Sequence, residues 1–177
     1  MAASSSHTSQ ALPPIQGTPA HRQTAWMTGK QSLLRKGRRS VGGQLYLVTF
    51  TTRNRAPHFR DWDLAVAAAK LLSDTSNWRD SRLLAWVLMP DHWHGLIELH
   101  EGDTLAGRIG WIKNHSARKL RQAHPSLGRV WASAYHDRAL RHEDDPRRVA
   151  HYLLMNPVRA GLSSSTRTYP FWDAIWL

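Results

Sequence analysis

The chain contains no cysteine, and it has no run of apolar residues long enough to cross a bilayer. The first absence excludes disulfides, thiolate metal sites and a cysteine nucleophile. The second predicts no membrane-spanning helix, which needs about 18 or more consecutive apolar residues. Acidic residues are also scarce: 13 stand against 24 Lys and Arg, a formal net charge of +11 in 177 residues. Such an excess of positive charge in a small chain indicates a polyanionic partner.

Acidic residues are missing altogether from residues 1–40, which are rich in Ser, Thr, Gln, Pro and Gly. Because this segment buries too little apolar surface to offset the entropy of ordering, we expect a disordered basic tail. No apolar stretch near its start resembles a secretory signal, although an acid-free, Arg-containing start also occurs in transit peptides. The cluster at its end suits contacts with phosphate groups and consists of Arg35, Lys36, Arg38 and Arg39.

Residues 41–177 alternate between strand and helix patterns and predict a single α+β domain. Strands are predicted at 44–52, 82–89, 92–99 and 130–140, and helices at 64–72, at 104–122 and from 146 onward. Asp63 is the predicted N-cap of the first helix, and Asp145-Pro146 is a strong helix start. The order β-α-β-β-α-β-α predicts a ferredoxin-like split β-α-β fold with a four-stranded antiparallel sheet and an added C-terminal helix.

The predicted helix at 104–122 has one apolar stripe with many basic residues outside it. Most charge runs of this kind are solvated faces, but the net charge of the chain favours contact with a nucleic-acid backbone. The candidate residues for that contact are Arg108, Lys113, Arg118, Lys119 and Arg121.

Two histidines, His92 and His94, are separated by one residue in the third predicted strand. Side chains at this spacing point to the same face of a strand, so both imidazoles could bind one divalent ion. An isolated pair of this kind is also consistent with two polar residues on a solvated face.

Tyr152 and Asn156 are four residues apart in the last predicted helix and would share one helical face. Pro157 predicts that this helix ends or kinks at Asn156. Taken alone, the segment is also consistent with an amphipathic helix that carries an interfacial tyrosine and an asparagine C-cap.

Four segments together resemble a known family. Residues 88–94 (LMPDHWH) resemble the MP-N/D-H-x-H segment of single-tyrosine HUH transposases. Residues 152–162 (YLLMNPVRAGL) resemble the Y-x-x-x-N-P-V-x-x-G segment of one branch, the REP-associated tyrosine transposases, and residues 131–141 and 168–172 are similar to two further segments of that branch. The likeness runs in order through about three-quarters of the chain.

The resemblance implies metal-dependent cleavage and strand transfer of single-stranded DNA at palindromic repeat hairpins, through a 5′-phosphotyrosine intermediate. It implies that Tyr152 is the nucleophile and that His92, His94 and Asn156 bind Mg²⁺ or Mn²⁺. Two imidazoles and one amide form a neutral site, unlike the oxygen-rich sites that Mg²⁺ prefers, so we expect Mn²⁺ to bind better.

Several assignments stay open at the level of sequence. Tyr135 is a second candidate nucleophile, whereas Tyr46 is expected in the core and Tyr169 in a terminal loop. A general base is not assigned, and the candidates are His136, His151 and Asp137.

Two rival functions are a non-catalytic DNA-hairpin-binding or regulatory protein that keeps the fold, and an RNA-binding ferredoxin-like module. By resemblance we expect a monomer rather than a dimer, acting in a bacterial cytoplasm at the nucleoid.

Overall fold

The computed structural model describes residues 40–176 and contains five strands and four α-helices within them. The strands are β1 (Leu45–Thr51), β2 (Arg82–Met89), β3 (His92–Glu98), β4 (His136–Ala139) and β5 (Trp172–Ala174). The helices are α1 (Trp62–Ser73), α2 (Leu105–Ala123), α3 (Pro146–Leu154) and α4 (Asn156–Arg159), with short 3₁₀ turns at Arg53–Arg55, His58–Arg60, Thr75–Trp78 and Thr166–Thr168. No helix within residues 40–176 combines the length and apolar content needed to span a membrane. Residues 1–39 of the predicted tail lie outside the described residues, and they include the basic cluster of Arg35, Lys36, Arg38 and Arg39.

The five strands form one antiparallel sheet in the order β4-β1-β3-β2-β5. Its first four strands follow one another with α1 and α2 as β-α-β-β-α-β, the split β-α-β arrangement predicted from the sequence. The predicted count of four strands is wrong, because β5 pairs with the outer edge of β2. Three residues are too few to show a readable alternation, so the sequence pattern gives no signal for β5. The helix that was expected to close the chain is instead followed by α4 and β5.

The fourth strand is much shorter than the strand predicted at 130–140. Trp131 forms only an isolated bridge with Thr52, and its side chain is buried in the core. The carbonyl oxygens of Ser133 and Ala134 each accept a hydrogen bond from Lys113 Nζ at 3.0 Å. A lysine of α2 therefore satisfies backbone groups in a segment that the apolar pattern assigned to a strand.

Different helices cover the two faces of the sheet. On β3, Trp93 and Ile97 face α1 and α2, whereas Leu96 faces α3. Successive side chains of a strand point to opposite faces, so His92 and His94 share the face of Leu96. The sheet thus presents both histidines to the side on which α3 lies.

Aromatic rings fill the opposite face, beneath α1 and α2. Trp93 stacks on Phe50 with ring centroids 4.8 Å apart and on Trp78 at 5.9 Å, and Trp131 meets Phe50 edge-on at 4.8 Å. The Trp93 ring lies over Gly95, where a Cβ would overlap it. The glycine next to the histidine pair is therefore required by the core rather than by a turn.

The helix starts agree with the sequence at two positions and differ at one. Asp145 caps α3 by accepting a hydrogen bond from the Arg147 amide at 2.9 Å, as predicted. Thr104 caps α2 at the predicted start. The prediction for Asp63 is wrong, because Asp61 accepts from the Leu64 amide at 2.9 Å and starts α1 earlier. Both aspartates precede the same apolar stripe, so the pattern alone cannot choose between them.

Two of the basic residues predicted outside the apolar stripe of α2 are buried. Arg108 is 4% exposed and its guanidinium lies 2.6 Å from an Asp103 carboxylate oxygen. Lys113 is 7% exposed and donates to the two carbonyl groups described above. Long basic side chains bury their stems and extend past the edge of a helix, which a helical periodicity does not reveal. The remaining three are exposed: Arg118, Lys119 and Arg121.

Candidate active site

The two histidines of β3 lie side by side on one face, as the strand spacing predicts. The ring centroids of His92 and His94 are 4.7 Å apart and the rings are nearly perpendicular. In the sheet register, His92 stands between Thr51 and Met89, and His94 stands between Thr49 and Val87. The apolar neighbours on β2 belong to the core under α3, so the two histidines border the hydrophobic core on this face.

An aspartate and an arginine fix the ring of His92. Its Nδ1 lies 2.5 Å from an Asp91 carboxylate oxygen, and Arg55 donates to the other oxygen at 3.1 Å. Burial alone would raise the pKa of Asp91, but these hydrogen bonds and the charges of His92 and Arg55 lower it to about 2. The carboxylate therefore stays ionised at neutral pH and accepts the Nδ1 proton of His92, so Nε2 is the ring nitrogen left to meet a cation.

A threonine of the neighbouring strand positions His94. Thr49 Oγ1 lies 2.6 Å from His94 Nδ1 and is itself buried. Burial lowers the pKa of His94 well below its ordinary value, and the positive charges of His92, Arg159 and Arg55 lower it further against the opposing charge of Asp91. His94 is therefore neutral at physiological pH, and Nε2 is the ring nitrogen available to a cation when Nδ1 carries the ring proton and donates it to Thr49.

These contacts fit the residues for holding a divalent ion. Imidazole ligands of metals usually donate their second ring nitrogen to a carboxylate or another oxygen, as His92 does to Asp91, and His94 Nδ1 is hydrogen-bonded to the Thr49 hydroxyl. Within residues 40–176, no three His, Cys, Asp or Glu side chains converge on one point. A cation held at this pair would consequently need further donors, such as an amide, water or phosphate oxygen.

Tyr152 and Asn156 lie on either side of a helix break. Tyr152 is in α3 and is 44% exposed, while Met155 is the C-cap of α3 and Asn156 begins α4. Pro157 has no N–H, so the carbonyl of Leu153, four residues earlier, lacks the usual helical donor. Asn156 Nδ2 donates to that carbonyl at 2.8 Å. The sequence expectation of an end or kink at this point is confirmed, and the break fixes the orientation of the Asn156 amide.

Arg159 connects these two residues. Its guanidinium carbon lies 3.9 Å from the centroid of the Tyr152 ring, a stacked cation–π contact. Its Nη2 donates to the Asn156 Oδ1 at 2.7 Å and to the Tyr152 carbonyl at 2.8 Å. Because Nδ2 of Asn156 donates to Leu153 and Oδ1 accepts from Arg159, the hydrogen-bond network assigns both ends of the amide.

The structure separates the open candidates for a general base. In the register of β4, His136 lies beside Thr49 on the face of His94, so it borders the site two strands away. Asp137 pairs with Val48, which belongs to the core on the opposite face. His151 is exposed in α3, next to Tyr152.

The other three tyrosines make contacts within the fold. Tyr46 is buried as expected, and the Val41 amide donates to its hydroxyl at 3.1 Å. Tyr135 is half-buried and packs against the aromatic core. Tyr169 donates its hydroxyl proton to the Leu88 carbonyl at 2.7 Å, and burial raises its pKa. Tyr169 therefore lies in the loop before β5, as expected, and its ring packs against the core.

A basic groove lies between α2 and residues 129–133. It encloses about 410 Å³, and its lining includes Arg121, Asn114 and Arg129. Since α2 covers the face of Trp93, this groove is on the opposite side of the sheet from the histidine pair. Arg129 follows no periodic pattern, and the sequence analysis missed it.

The fold and the site together define an α+β protein with two imidazoles and a tyrosine-bearing helix on one face of an antiparallel sheet. A family described as "Transposase IS200 like" matches residues 40–153, a range that includes His92, His94 and Tyr152. The chain belongs to the IS200-like transposase family.

Individual relatives agree with this assignment. The chain is similar to the REP-associated tyrosine transposase of Escherichia coli (strain K12), with 29% identity over 94 residues, 52% of this chain and 54% of that protein. It thus spans about half the length of this curated relative. The fold is similar to that of a REP-associated tyrosine transposase bound to a REP hairpin, with a TM-score of 0.60 and 25% identity over 77% of this chain and 79% of that one. A candidate transposase of Deinococcus radiodurans R1 matches with a TM-score of 0.51 and 25% identity over 67% and 94% of the two chains. The resemblance to REP-associated tyrosine transposases is confirmed.

Four residues that organise the site were not predicted from the sequence. Asp91 directly precedes His92, so its place in the motif was a usable signal. Arg159 lies within the segment that resembles the family, seven residues after Tyr152. Thr49 and Arg55 reach the site only through the pairing of β1 with β3 and the turn after β1, and no local pattern reveals them.

Proposed function

We propose that this protein is a metal-dependent DNA transposase of the single-tyrosine HUH type, which cleaves and rejoins single-stranded DNA at palindromic repeat hairpins. One observation carries this proposal above all. Two imidazoles with their Nδ1 atoms engaged by Asp91 and Thr49 lie on the sheet face that the Tyr152-bearing helix covers. A protein that only binds DNA has no need for this combination.

In the proposed reaction, Tyr152 Oη attacks the phosphorus of a DNA phosphodiester. A bond forms between Oη and phosphorus, the bond from phosphorus to the 3′ oxygen breaks, and the phenolic proton departs while the 3′ oxygen gains one. The products are a 5′-phosphotyrosine and a free 3′-OH. Because the new link is itself a phosphodiester, attack by another 3′-OH reverses the step and rejoins DNA without a nucleotide cofactor.

A phenol is mostly protonated at neutral pH, so the reaction needs an activated phosphate. His92 Nε2, His94 Nε2 and Asn156 Oδ1 are the atoms that would hold Mg²⁺ or Mn²⁺. Such an ion would polarise phosphorus and offset negative charge at a non-bridging oxygen. Asp91 keeps the His92 ring in the tautomer that binding requires, Thr49 holds His94 Nδ1 in a hydrogen bond, and low basicity keeps His94 unprotonated.

The proposed DNA partner is a single strand that folds into a palindromic hairpin. Support comes from the similar structure that holds a REP hairpin and from the exposed basic residues of this chain. Arg118, Lys119 and Arg121 are exposed on α2, and Arg129 lines the same groove as Arg121. We propose these side chains as phosphate contacts, while Arg108 and Lys113 are committed to internal partners.

The decisive experiment is incubation with single-stranded repeat DNA and Mn²⁺, followed by mass analysis for a protein–DNA adduct. We expect an adduct with the parent protein and with Tyr135→Phe, and none with Tyr152→Phe. An adduct that persists in Tyr152→Phe would assign the nucleophile elsewhere.

A second candidate is a non-catalytic hairpin-binding protein. It is favoured by the hydrogen bond from Arg159 to Asn156 Oδ1, which engages one proposed metal ligand. Tight hairpin binding without an adduct in either Mg²⁺ or Mn²⁺ would establish this function in place of the transposase.

A further inference from the structure

Arg159 makes three contacts that the proposed reaction does not yet explain. It stacks on the Tyr152 ring, donates to the Tyr152 carbonyl and donates to the Asn156 side chain. The residue is exposed, and exposed arginines usually sample many conformers because their side chains carry large rotamer entropy. Three simultaneous contacts to two proposed functional residues therefore indicate a specific role.

The first consequence concerns position. A planar guanidinium over an aromatic ring restrains the orientation of that ring more than a lysine ammonium would. The same guanidinium holds the Asn156 amide, whose other end is already tied to the Leu153 carbonyl. Arg159 therefore fixes the phenol and the amide relative to each other across the break between α3 and α4.

The second consequence concerns charge. The guanidinium donates to the oxygen that would bind a cation, and a positive charge there repels any cation nearby. The two effects of Arg159 thus act in opposite directions on the proposed activity.

We propose that Arg159 is a positioning residue that holds Tyr152 and Asn156 in place for the covalent step while weakening cation binding at the site to which Asn156 would contribute. The part that concerns the covalent step rests on the proposed function. The ring contact and the effect on cation binding are measurable in the protein without DNA.

Two variants separate position from charge. Arg159→Gln removes the charge and the stacking plane, whereas Arg159→Lys keeps the charge and loses the plane. With Mn²⁺ titrated into the DNA-free protein and followed by electron paramagnetic resonance, we expect Arg159→Gln to bind about fivefold more tightly. Arg159→Lys should stay within about twofold of the parent. Both variants should form the DNA adduct at least about tenfold more slowly.

Arg147→Gln is the matched control, because it removes the same charge from an exposed position in α3. It should leave both Mn²⁺ affinity and adduct rate within about twofold of the parent. A general disruption of the site by Arg159→Gln would weaken cation binding and slow the adduct together. Only the proposed role predicts tighter binding with a slower reaction.

Ring position is tested without any reaction. Protein labelled with 3-fluorotyrosine has four fluorine resonances, one for each tyrosine, and Tyr152→Phe assigns that of Tyr152. Both Arg159 variants should shift this resonance, and Arg147→Gln should not. An unmoved resonance overturns the positioning role. Mn²⁺ binding that is unchanged or weaker in Arg159→Gln, or absent from the parent, overturns the effect of charge. A parent protein that forms no adduct refutes the proposed function while leaving the fluorine and Mn²⁺ results interpretable.

Discussion

Replacing Asp91 by asparagine tests whether the histidine pair is organised as the structure indicates. The carboxylate accepts from His92 Nδ1 at 2.5 Å and from Arg55 at 3.1 Å, and its side chain is only 24% exposed. The Asp91→Asn variant would keep the shape of the side chain but lose the charge. It would also no longer select the tautomer of His92, because an amide presents both a donor and an acceptor.

The pKa of Asp91 gives the expected size of the effect on stability. A fall from the ordinary 3.8 to about 2 corresponds to about 2 kcal/mol of stabilisation by the ionised carboxylate. Since the pKa of the folded state is the lower one, this contribution is fully present above about pH 4 and is lost as the pH falls towards about 2. Asp91→Asn should therefore cost about 2 kcal/mol near pH 7, with a difference from the parent that narrows below about pH 4. Loss of the tautomer control should weaken Mn²⁺ binding by about 10- to 100-fold.

Urea unfolding at several pH values measures the first effect, and Mn²⁺ titration by paramagnetic resonance measures the second. Glu98→Gln is a suitable control, because Glu98 ends the strand that Asp91 precedes and its ion pair with the more exposed Arg82 should contribute no more than about 1 kcal/mol. Equal losses in Asp91→Asn and Glu98→Gln, or a gap that stays constant from neutral to acid pH, would refute the reasoning. Unchanged Mn²⁺ affinity in Asp91→Asn would separate Asp91 from the proposed cation site.

Three further predictions test neighbouring parts of the fold. Tyr169→Phe should lower the free energy of unfolding in urea by about 1–2 kcal/mol, because it leaves the Leu88 carbonyl without its donor. At equal concentrations of folded protein, the rate of adduct formation should not change. Gly95→Ala should lower the free energy of unfolding by about 1–3 kcal/mol or more, because the new methyl group overlaps the Trp93 ring. The midpoint of its thermal unfolding should fall accordingly. Lys113→Met should lower the free energy of unfolding by about 2 kcal/mol, because it removes the donor to two loop carbonyls. Its affinity for the hairpin, measured by fluorescence anisotropy, should match that of the parent, whereas Arg121→Gln should bind the hairpin more weakly.

The sequence predicted those features that depend on local periodicity. The two-residue period of β3 was sufficient to put His92 and His94 on one face, and Asp145 next to a proline marked the start of α3. The order of the first four strands and two helices followed from the alternation of patterns along the chain.

Features set by tertiary contacts were not predictable in this way. Thr49 reaches His94 only because β1 pairs with β3 in one register, and the two residues are 45 positions apart. The apolar residues near Trp131 have the pattern of a strand, but Trp131 is buried in the core and the segment continues as a loop. A carbonyl of that loop accepts a hydrogen bond from Lys113. Burial of a charged side chain depends on a partner from elsewhere in the chain, so the helical pattern assigned Lys113 to solvent.

In the segment from Tyr152 to Arg159, the break between α3 and α4 affects how the proposed site residues are arranged. Pro157 removes one N–H, and the carbonyl left without that donor is satisfied by the Asn156 side chain. With its nitrogen committed there, the amide turns its oxygen towards Arg159, whose guanidinium is thereby placed against the Tyr152 ring. In an uninterrupted helix, the Leu153 carbonyl would receive a backbone donor and nothing would select this orientation of the amide. The proline therefore leaves the Leu153 carbonyl open to the Asn156 amide, and the amide and Arg159 together set the placement of the proposed amide ligand relative to the proposed nucleophile.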